Sequence, residues 1–274
     1  MRAQRTHLLL HTSLVCLALM WVFPVVWTLT NSVKSTADLY SAPWSLPNPL
    51  HFENIGHAWV QGQLGQALVN STYVTVVSVG LILLIAVPAA FGFARLALPL
   101  PAVLGIAILV PLMIPSEMIM VPLFVMFRVV GLLNTREGLI ALEVATGVAF
   151  ATVVLTAFFR SVPRDLEDAA RIDGARSAQV LRHIILPLAA PGIAGVTVFE
   201  SVFVWNDYFG PLILIQKPEL FTIPLAVGNF SNFYATDQVV LFAGLAIAIA
   251  PPLVMFALLQ RSFTEGLTVG ASRY

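Results

Sequence analysis

Residues 160–187 read RSVPRDLEDAARIDGARSAQVLRHIILP, and this charged segment differs from the apolar sequence on both sides of it. Its 28 residues hold nine of the 28 charged side chains in a chain of 274. Pro163 suits the first turn of a helix, where a missing N–H costs little, and the acidic residues that follow favour the positive end of the helix dipole. Asp173 and Gly174 form a strong turn signal. The pattern predicts two short helices joined by a glycine turn, the second over about residues 175–184.

The rest of the chain is too apolar for a soluble protein. It is 58% hydrophobic and 10% charged, with a mean hydropathy of +0.89, whereas soluble domains carry roughly 25% charged residues. Intrinsic disorder requires the opposite composition. A nucleic-acid binder requires a basic excess, and this chain has no net charge. The composition therefore indicates an integral membrane protein.

Six apolar stretches are long enough to cross a bilayer as helices. They cover about residues 8–30, 68–94, 102–127, 139–159, 188–215 and 239–259. We expect an all-α integral membrane protein with one transmembrane domain over residues 1–274 and both termini on the same side. The charged segment connects the fourth and fifth spans, and Pro187 marks the start of the fifth.

The arginine and lysine distribution predicts the orientation, because cytoplasmic loops carry an excess of basic residues. With a cytoplasmic N-terminus, ten basic residues lie inside and four outside. The inner set is Arg2, Arg5, Arg95, Arg160, Arg164, Arg171, Arg176, Arg182, Arg261 and Arg273, and the outer set is Lys34, Arg128, Arg136 and Lys217. Both termini and the charged segment are therefore expected in the cytoplasm.

Four acidic residues fall in or near the spans, namely Glu117, Glu143, Glu200 and Asp207. Ionisable groups are costly in a membrane and are candidates for a functional role. Glu200, Phe203 and Asp207 have the spacing of one helix face, which would place an aromatic ring between two carboxylates. The alternative is that Glu200 bonds to a neighbouring helix and Phe203 only packs. The same acids also suit a proton- or sodium-coupled secondary transporter, which uses broken helices at its binding site.

Catalytic and metal-binding patterns are absent from the sequence. It has one cysteine, Cys16, and contains neither H-E-x-x-H nor G-x-S-x-G. A phosphate loop needs a lysine after a glycine-rich run, but the two lysines, Lys34 and Lys217, do not follow a glycine. We expect no enzyme activity and no metal site, and any ATP hydrolysis requires a separate chain.

The charged segment resembles the EAA motif of permease subunits from binding-protein-dependent ABC importers. The matching residues are Glu167, Ala169, Ala170, Asp173, Gly174, Ala175, Ile184, Leu186 and Pro187. Other stretches resemble the carbohydrate-import branch, the maltose and glycerol-phosphate type. They are Asn70-Ser71, Gly131-Leu132 with Asn134-Thr135, Trp205-Asn206-Asp207 with Pro211, and Gly266-Leu267-Thr268 with Gly270-Ala271. The ending Ser272-Arg273-Tyr274 departs from the basic-glycine ending usual in that branch.

This resemblance implies a subunit that imports sugars across a bacterial inner membrane. The EAA residues form a coupling element that docks on an ATPase subunit, and ATP and Mg²⁺ bind to that partner while this chain needs no cofactor. The expected partners are a second, different permease subunit, two ATPase subunits, an extracytoplasmic solute-binding protein and membrane lipid, with no nucleic acid. Glu200, Phe203, Asn206 and Asp207 become candidates for the substrate pathway. The secondary-transporter alternative gives no role to the charged segment.

Overall fold

The computed structural model describes residues 2–233 and 237–271, and the regular structure within these ranges is helical. The helices in chain order are α1 Arg2–Asn31, α2 Thr36–Ser41, α3 Glu53–Gln61, α4 Leu64–Arg95, α5 Pro101–Met113, α6 Ser116–Val129, α7 Arg136–Ser161, α8 Arg164–Ile172, α9 Ser177–Val180, α10 Leu186–Leu188, α11 Ala190–Asn206, α12 Phe209–Leu214, α13 Ile223–Phe233 and α14 Gln238–Ala271. A π-helical turn, Leu181–Ile185, joins α9 to α10, and Pro218–Leu220 is a 3₁₀ turn. The side chain of Glu117 and residues 272–274 lie outside this description.

Three described helices are long and apolar enough to cross a membrane unaided, namely Leu9–Asn31, Leu64–Arg95 and Arg136–Ser161. They coincide with the first, second and fourth predicted spans. In α1 none of the apolar window is buried by the rest of the chain, against 44% in α4 and 56% in α7. Helices α4 and α7 are therefore partly covered by the helices packed around them, whereas the apolar window of α1 is not covered.

The third predicted span, 102–127, was wrong as a single helix. Helix α5 ends at Met113 and α6 starts at Ser116, with an angle of 103° between the two. Pro115 lies between them in extended backbone. Because proline lacks an N–H and its ring clashes with the preceding helical turn, a straight helix is interrupted here.

The fifth predicted span, 188–215, is not one straight helix either. The second helix of the charged segment does not stop near Ile184 but continues through Pro187 to Leu188. The Leu186 N–H donates to Leu181 O across a wider π turn, just before the proline that has no donor. The chain then bends by 76° at Ala189 before α11.

The far end of this span is broken as well. Helix α11 ends at Asn206, Asp207 is extended, and α12 follows from Phe209. In a continuous helix the ring of Pro211 would meet the carbonyl of Asp207, four residues earlier. The sixth predicted span falls within α14, whose described apolar stretch is Gln238–Val254. Counting each bent pair as one span gives up to five candidate spans among the described residues.

The described residues divide into two compact units. The first contains residues up to 65 with 226–233 and 237–251. In it, the Nζ of buried Lys34 donates hydrogen bonds to Ala42 O (3.2 Å) and Pro43 O (2.8 Å) and lies 5.9 Å from the centre of the Trp27 ring. The Asn54 amide donates to Ser32 O and Lys34 O. These contacts tie the stretch after α1 to α3.

The second unit contains residues 66–225 and 252–271. One end of its core is formed by small and aliphatic side chains of α4 and α7, such as Ile82, Ala86, Ala90, Ala151 and Leu155. Small residues let membrane helices approach closely. Val180 and Ile185 of the charged segment are fully buried in the same cluster, so the later half of that segment is part of the folded core.

Candidate functional site

The charged segment starts as predicted, with a short polar helix. Pro163 precedes α8, and Asp165 and Glu167 occupy its first turn. At the other end the Ala175 N–H donates to Ala170 O (2.9 Å) and the Gly174 N–H donates to Arg171 O (3.0 Å). This is the hydrogen-bond pattern of a Schellman motif.

Gly174 is the residue that allows this turn. Its φ is +87°, a conformation that glycine adopts readily and other residues rarely adopt. A Cβ built there meets no atom within 4 Å, and Asp173, Gly174 and Arg176 are exposed. The predicted glycine turn is confirmed, and its tip projects away from the atoms of this chain.

The nine EAA-like residues lie in three different environments. Glu167 is buried, Ala170, Ala175 and Leu186 are half-buried and pack against the core of the second unit, and Ile184 is half-buried. Ala169, Asp173, Gly174 and Pro187 are exposed. Two apolar side chains that the sequence reasoning passed over share the exposed surface, Leu166 at 46% and Ile172 at 87% exposure.

Arginines join the C-terminal ends of α4 and α7 to the first turn of α8. Arg95 Nε forms an ion pair with Glu167 Oε1, and the Arg95 Nη2 donates to Val162 O at 2.6 Å. In return, the Arg160 Nη2 donates to Phe93 O at 3.2 Å. The side chains of Arg95 and Glu167 are only 3% and 6% exposed.

A cavity of about 410 Å³ lies among α6, α7, α11 and α12. Its lining is Met120, Leu142, Glu143, Thr146, Val202, Phe203, Asn206, Asp207, Tyr208 and Phe209. Three predicted pathway residues, Phe203, Asn206 and Asp207, therefore meet here. The helix break at Asp207 turns its carboxylate back to accept from the Gly210 N–H (3.2 Å). Phe203 is 54% exposed and ends a row of rings with Phe199 and Phe150.

Glu200 is not in the lining of this cavity. It is 2% exposed, and its Oε2 lies 2.7 Å from where a Cβ on Gly147 would be. Its role in the pathway stays a prediction. Glu143 and Tyr208 line the cavity instead. The isolated acid at Glu143 was a signal for the first of these, but no pattern in the sequence distinguished Tyr208.

The start of α4 holds a later part of the chain. The Asn70 amide donates to Glu219 O (2.9 Å) and Phe221 O (3.0 Å), and the Ser71 hydroxyl accepts from the Ile223 N–H (2.8 Å). Asn134 Oδ1 accepts from the N–H groups of Gln216 and Lys217. The resemblance to the carbohydrate-import branch singled out Asn70-Ser71 and Asn134. In the structure, all three residues hold the 214–223 segment through hydrogen bonds.

Comparison with protein families decides the identity. The family described as "binding-protein-dependent transport system inner membrane component" matches residues 82–268. The chain belongs to this family. It is therefore a multi-pass inner-membrane permease of an ABC transporter and not an enzyme, and ATP is hydrolysed on a separate subunit. The secondary-transporter alternative is not favoured.

Curated relatives span nearly the whole permease. The diacetylchitobiose uptake system permease NgcG of Streptomyces coelicolor is 34% identical and covers 96% of this chain and 88% of its own. The trehalose transport system permease SugB of Mycobacterium tuberculosis is 34% identical, with 91% and 92% coverage. Among solved structures, a bacterial ABC transporter that imports alginate gives a TM-score of 0.82 over 96% of this chain and 98% of that one. At 24% identity, this last similarity establishes the fold.

Proposed function

We propose that this permease forms half of the translocation pathway of a carbohydrate importer. Relatives that cover more than nine-tenths of the chain are named for diacetylchitobiose and trehalose, and the cavity combines aromatic, amide and carboxylate side chains. Rings that stack on sugar faces and polar groups that bond hydroxyls suit such solutes.

The tip of the charged segment is the proposed docking site for an ATPase subunit. The observation that carries this assignment is the exposed surface of Leu166, Ala169, Ile172 and Gly174 around an open Schellman turn. Val180 and Ile185 anchor the other half of the segment in the core. A movement imposed on the tip is therefore passed to the membrane helices rather than absorbed by a loose loop.

The complete assembly follows the family pattern. The proposed six spans count the apolar part of α14 in addition to the up to five candidate spans of the described residues, and they form one transmembrane domain over residues 1–274 with both termini in the cytoplasm. A second, different permease closes the pathway, two ATPase subunits bind ATP and Mg²⁺, and a solute-binding protein delivers sugar from outside.

The docking site is tested by comparing Gly174→Ala with Gly174→Trp. Both variants strain the positive φ in the same way, and the position of the added Cβ is open in both, with no atom of this chain within 4 Å. Any further loss in the Trp variant therefore reports a surface pressed against the turn. We expect Gly174→Trp to lower uptake roughly tenfold or more below Gly174→Ala, measured with labelled N,N′-diacetylchitobiose, trehalose and melibiose in whole cells.

Membrane insertion of both variants is checked by blotting, so that loss of protein is not counted as loss of coupling. Equal uptake by the two variants would show that no ATPase subunit docks at this turn. Uptake that continues without the ATPase subunit but stops when the proton gradient is collapsed would support the hypothesis of a secondary transporter instead.

The cavity predicts a second result, in which Phe203→Ala changes the relative uptake of the three sugars by a few-fold or more, as the loss of one stacking contact does. Phe199→Ala is the matched control, since this ring is similarly exposed and stacks in the same row but does not line the cavity. An equal change in both variants would show that the row only packs against a neighbouring subunit.

A further inference from the structure

The ion pair between Arg95 and Glu167 connects the charged segment to a helix that is distant from it in sequence. Arg95 is the last residue of α4, and Glu167 lies in the first turn of α8. Both side chains are almost completely buried, with Nε of the arginine against Oε1 of the glutamate. The glutamate of the EAA-like motif therefore faces its own chain, while the exposed surface of α8 is formed by other residues.

The arginine also fixes the junction between α7 and α8. Its Nη2 donates to the carbonyl of Val162, the residue that ends α7. The reciprocal bond from Arg160 to Phe93 O ties the end of α7 back to α4. Three helix ends are thus held by two guanidinium groups, and the Arg95 group contacts both of the other helices.

A buried pair of this kind is poorly explained as a source of stability alone. Removing two charges from water costs about as much as their attraction returns, and apolar side chains of similar size often stabilise as well. What the pair adds is a defined position, because Nε of Arg95 lies against Oε1 of Glu167 and neither of these buried atoms has a hydrogen-bond partner among the described residues. The other two acids of α8, Asp165 and Asp168, are exposed, so Glu167 is the one that faces inward.

Helix α4 is well placed to carry a displacement of Arg95 along its length. It is one unbroken helix of 32 residues, about 48 Å long at 1.5 Å per residue. Near its other end, Asn70 and Ser71 hold the 214–223 segment. A displacement of α8 that is carried by Arg95 therefore reaches a helix bonded at both ends.

We propose that Arg95 is a positioning residue that, through Glu167, makes α8 move as one body with α4, so that the coupling movement enters the membrane helices through α4. The inference rests on the proposed docking of the charged segment on an ATPase subunit. Glu167 transmits the movement and does not itself contact the ATPase.

The experiment compares Arg95→Gln, Glu167→Gln and the double variant in the complete importer, purified through a tag on this chain. We expect each single variant to keep its ATPase subunits and its basal ATP hydrolysis but to lose roughly tenfold or more in uptake of the three labelled sugars. The double variant should be no worse than the poorer single variant, because residues acting as a unit are non-additive. Glu137→Gln is the control, because it removes an exposed charge in the first turn of α7, outside the charged segment, and it should leave uptake unchanged.

Three results would overturn the proposal. Uptake within about twofold of wild type in both single variants would show that the pair is dispensable. Losses that multiply in the double variant would show that the two residues act separately. Loss of the ATPase subunits from Glu167→Gln would make the glutamate a direct docking contact.

Conservative variants keep the test decisive if a glutamine variant fails to insert. Arg95→Lys and Glu167→Asp retain both charges but change the geometry, and an intermediate loss of uptake with normal ATP hydrolysis is expected. Unchanged uptake in both would reject the proposal. If Gly174→Trp blocks coupling while the Arg95 and Glu167 variants do not, docking is retained and this inference fails. If Gly174→Trp matches Gly174→Ala, the docking site itself is wrong.

Discussion

Gly147 lies where three helices of the second unit pack closely together. A Cβ at this position would lie 2.6 Å from Ile82 Cδ1 of α4 and 2.7 Å from Glu200 Oε2 of α11. No backbone conformation requires glycine here, since the residue is in the middle of α7. The requirement is one of space between three packed helices, which a single sequence does not reveal.

We expect Gly147→Ala to destabilise the permease by about 1–3 kcal/mol, the usual cost of overpacking a core. Gly80→Ala is the control, because Gly80 also lies within a long apolar helix but has nothing within 4 Å of its Cβ. That variant should change the free energy of unfolding by no more than about 1 kcal/mol. Thermal unfolding of the two variants in detergent measures the difference. Equal melting temperatures would contradict the close packing described for Gly147.

Predictions for single residues were confirmed where the backbone conformation of the residue itself decides the local structure. The turn at Gly174 follows from local chemistry, and its φ and hydrogen bonds confirm it. The grouping of Glu200, Phe203 and Asp207 on one helix face depended on a continuous helix. Asp207 follows the end of α11 and still lines the cavity with Phe203, whereas Glu200 does not, and the cavity is shared by residues of four helices.

At the scale of elements, hydropathy located every apolar stretch but not the bends within them. A window of apolar residues has the same mean hydropathy whether its helix is straight or broken. The interruptions of the helices are associated with Pro115, Pro187 and Pro211. The effect of each proline on its helix depends on which carbonyl lies four residues earlier. The π turn before Pro187 shows that one of these prolines was accommodated within a helix, and this outcome is set by packing of the surrounding core.

The loop between α6 and α7 offers a test at this scale. Asn134 has a φ of +56°, and its Oδ1 accepts from Gln216 N (2.5 Å) and Lys217 N (3.2 Å). Asn134→Gly keeps the backbone conformation but loses the acceptor, so it should destabilise the 214–223 segment by about 1–2 kcal/mol. Hydrogen exchange of the Gln216 and Lys217 amides should become faster.

Asn134→Asp serves as the matched variant, because it retains an acceptor oxygen at the same position and tolerates the same φ. We expect slow exchange of both amides to be preserved in it. Fast amide exchange in Asn134→Asp as well as in Asn134→Gly would mean that the 214–223 segment is held by contacts other than those of Asn134.

For the whole molecule, the distribution of charge was more informative than its amount. The 10% charged fraction indicates only a membrane protein, whereas its concentration in residues 160–187 locates the segment that carries the family pattern. The sequence alone does not show which tertiary contacts those charged side chains make. Arg95 lies 72 positions from Glu167, and nothing local predicts that the two form a buried pair.

The predicted orientation of the whole chain is tested by cysteine labelling. Cys16→Ser removes the single cysteine, after which Arg176→Cys and Lys217→Cys each introduce one thiol at an exposed position. With a cytoplasmic charged segment, a membrane-impermeant maleimide added to intact spheroplasts should label position 217, and position 176 only after the membrane is opened. Labelling of both from one side, or the reverse pattern, would refute the orientation.

The burial of Lys34 has a chemical consequence. Its Nζ is enclosed by two carbonyls and the Trp27 ring, whereas Lys217, the other lysine, is exposed. Among side-chain amines, acylation by an activated ester under native conditions should therefore modify Lys217 and spare Lys34. A fluorophore attached there would report movement of the 214–223 segment during ATP turnover in an otherwise unaltered permease.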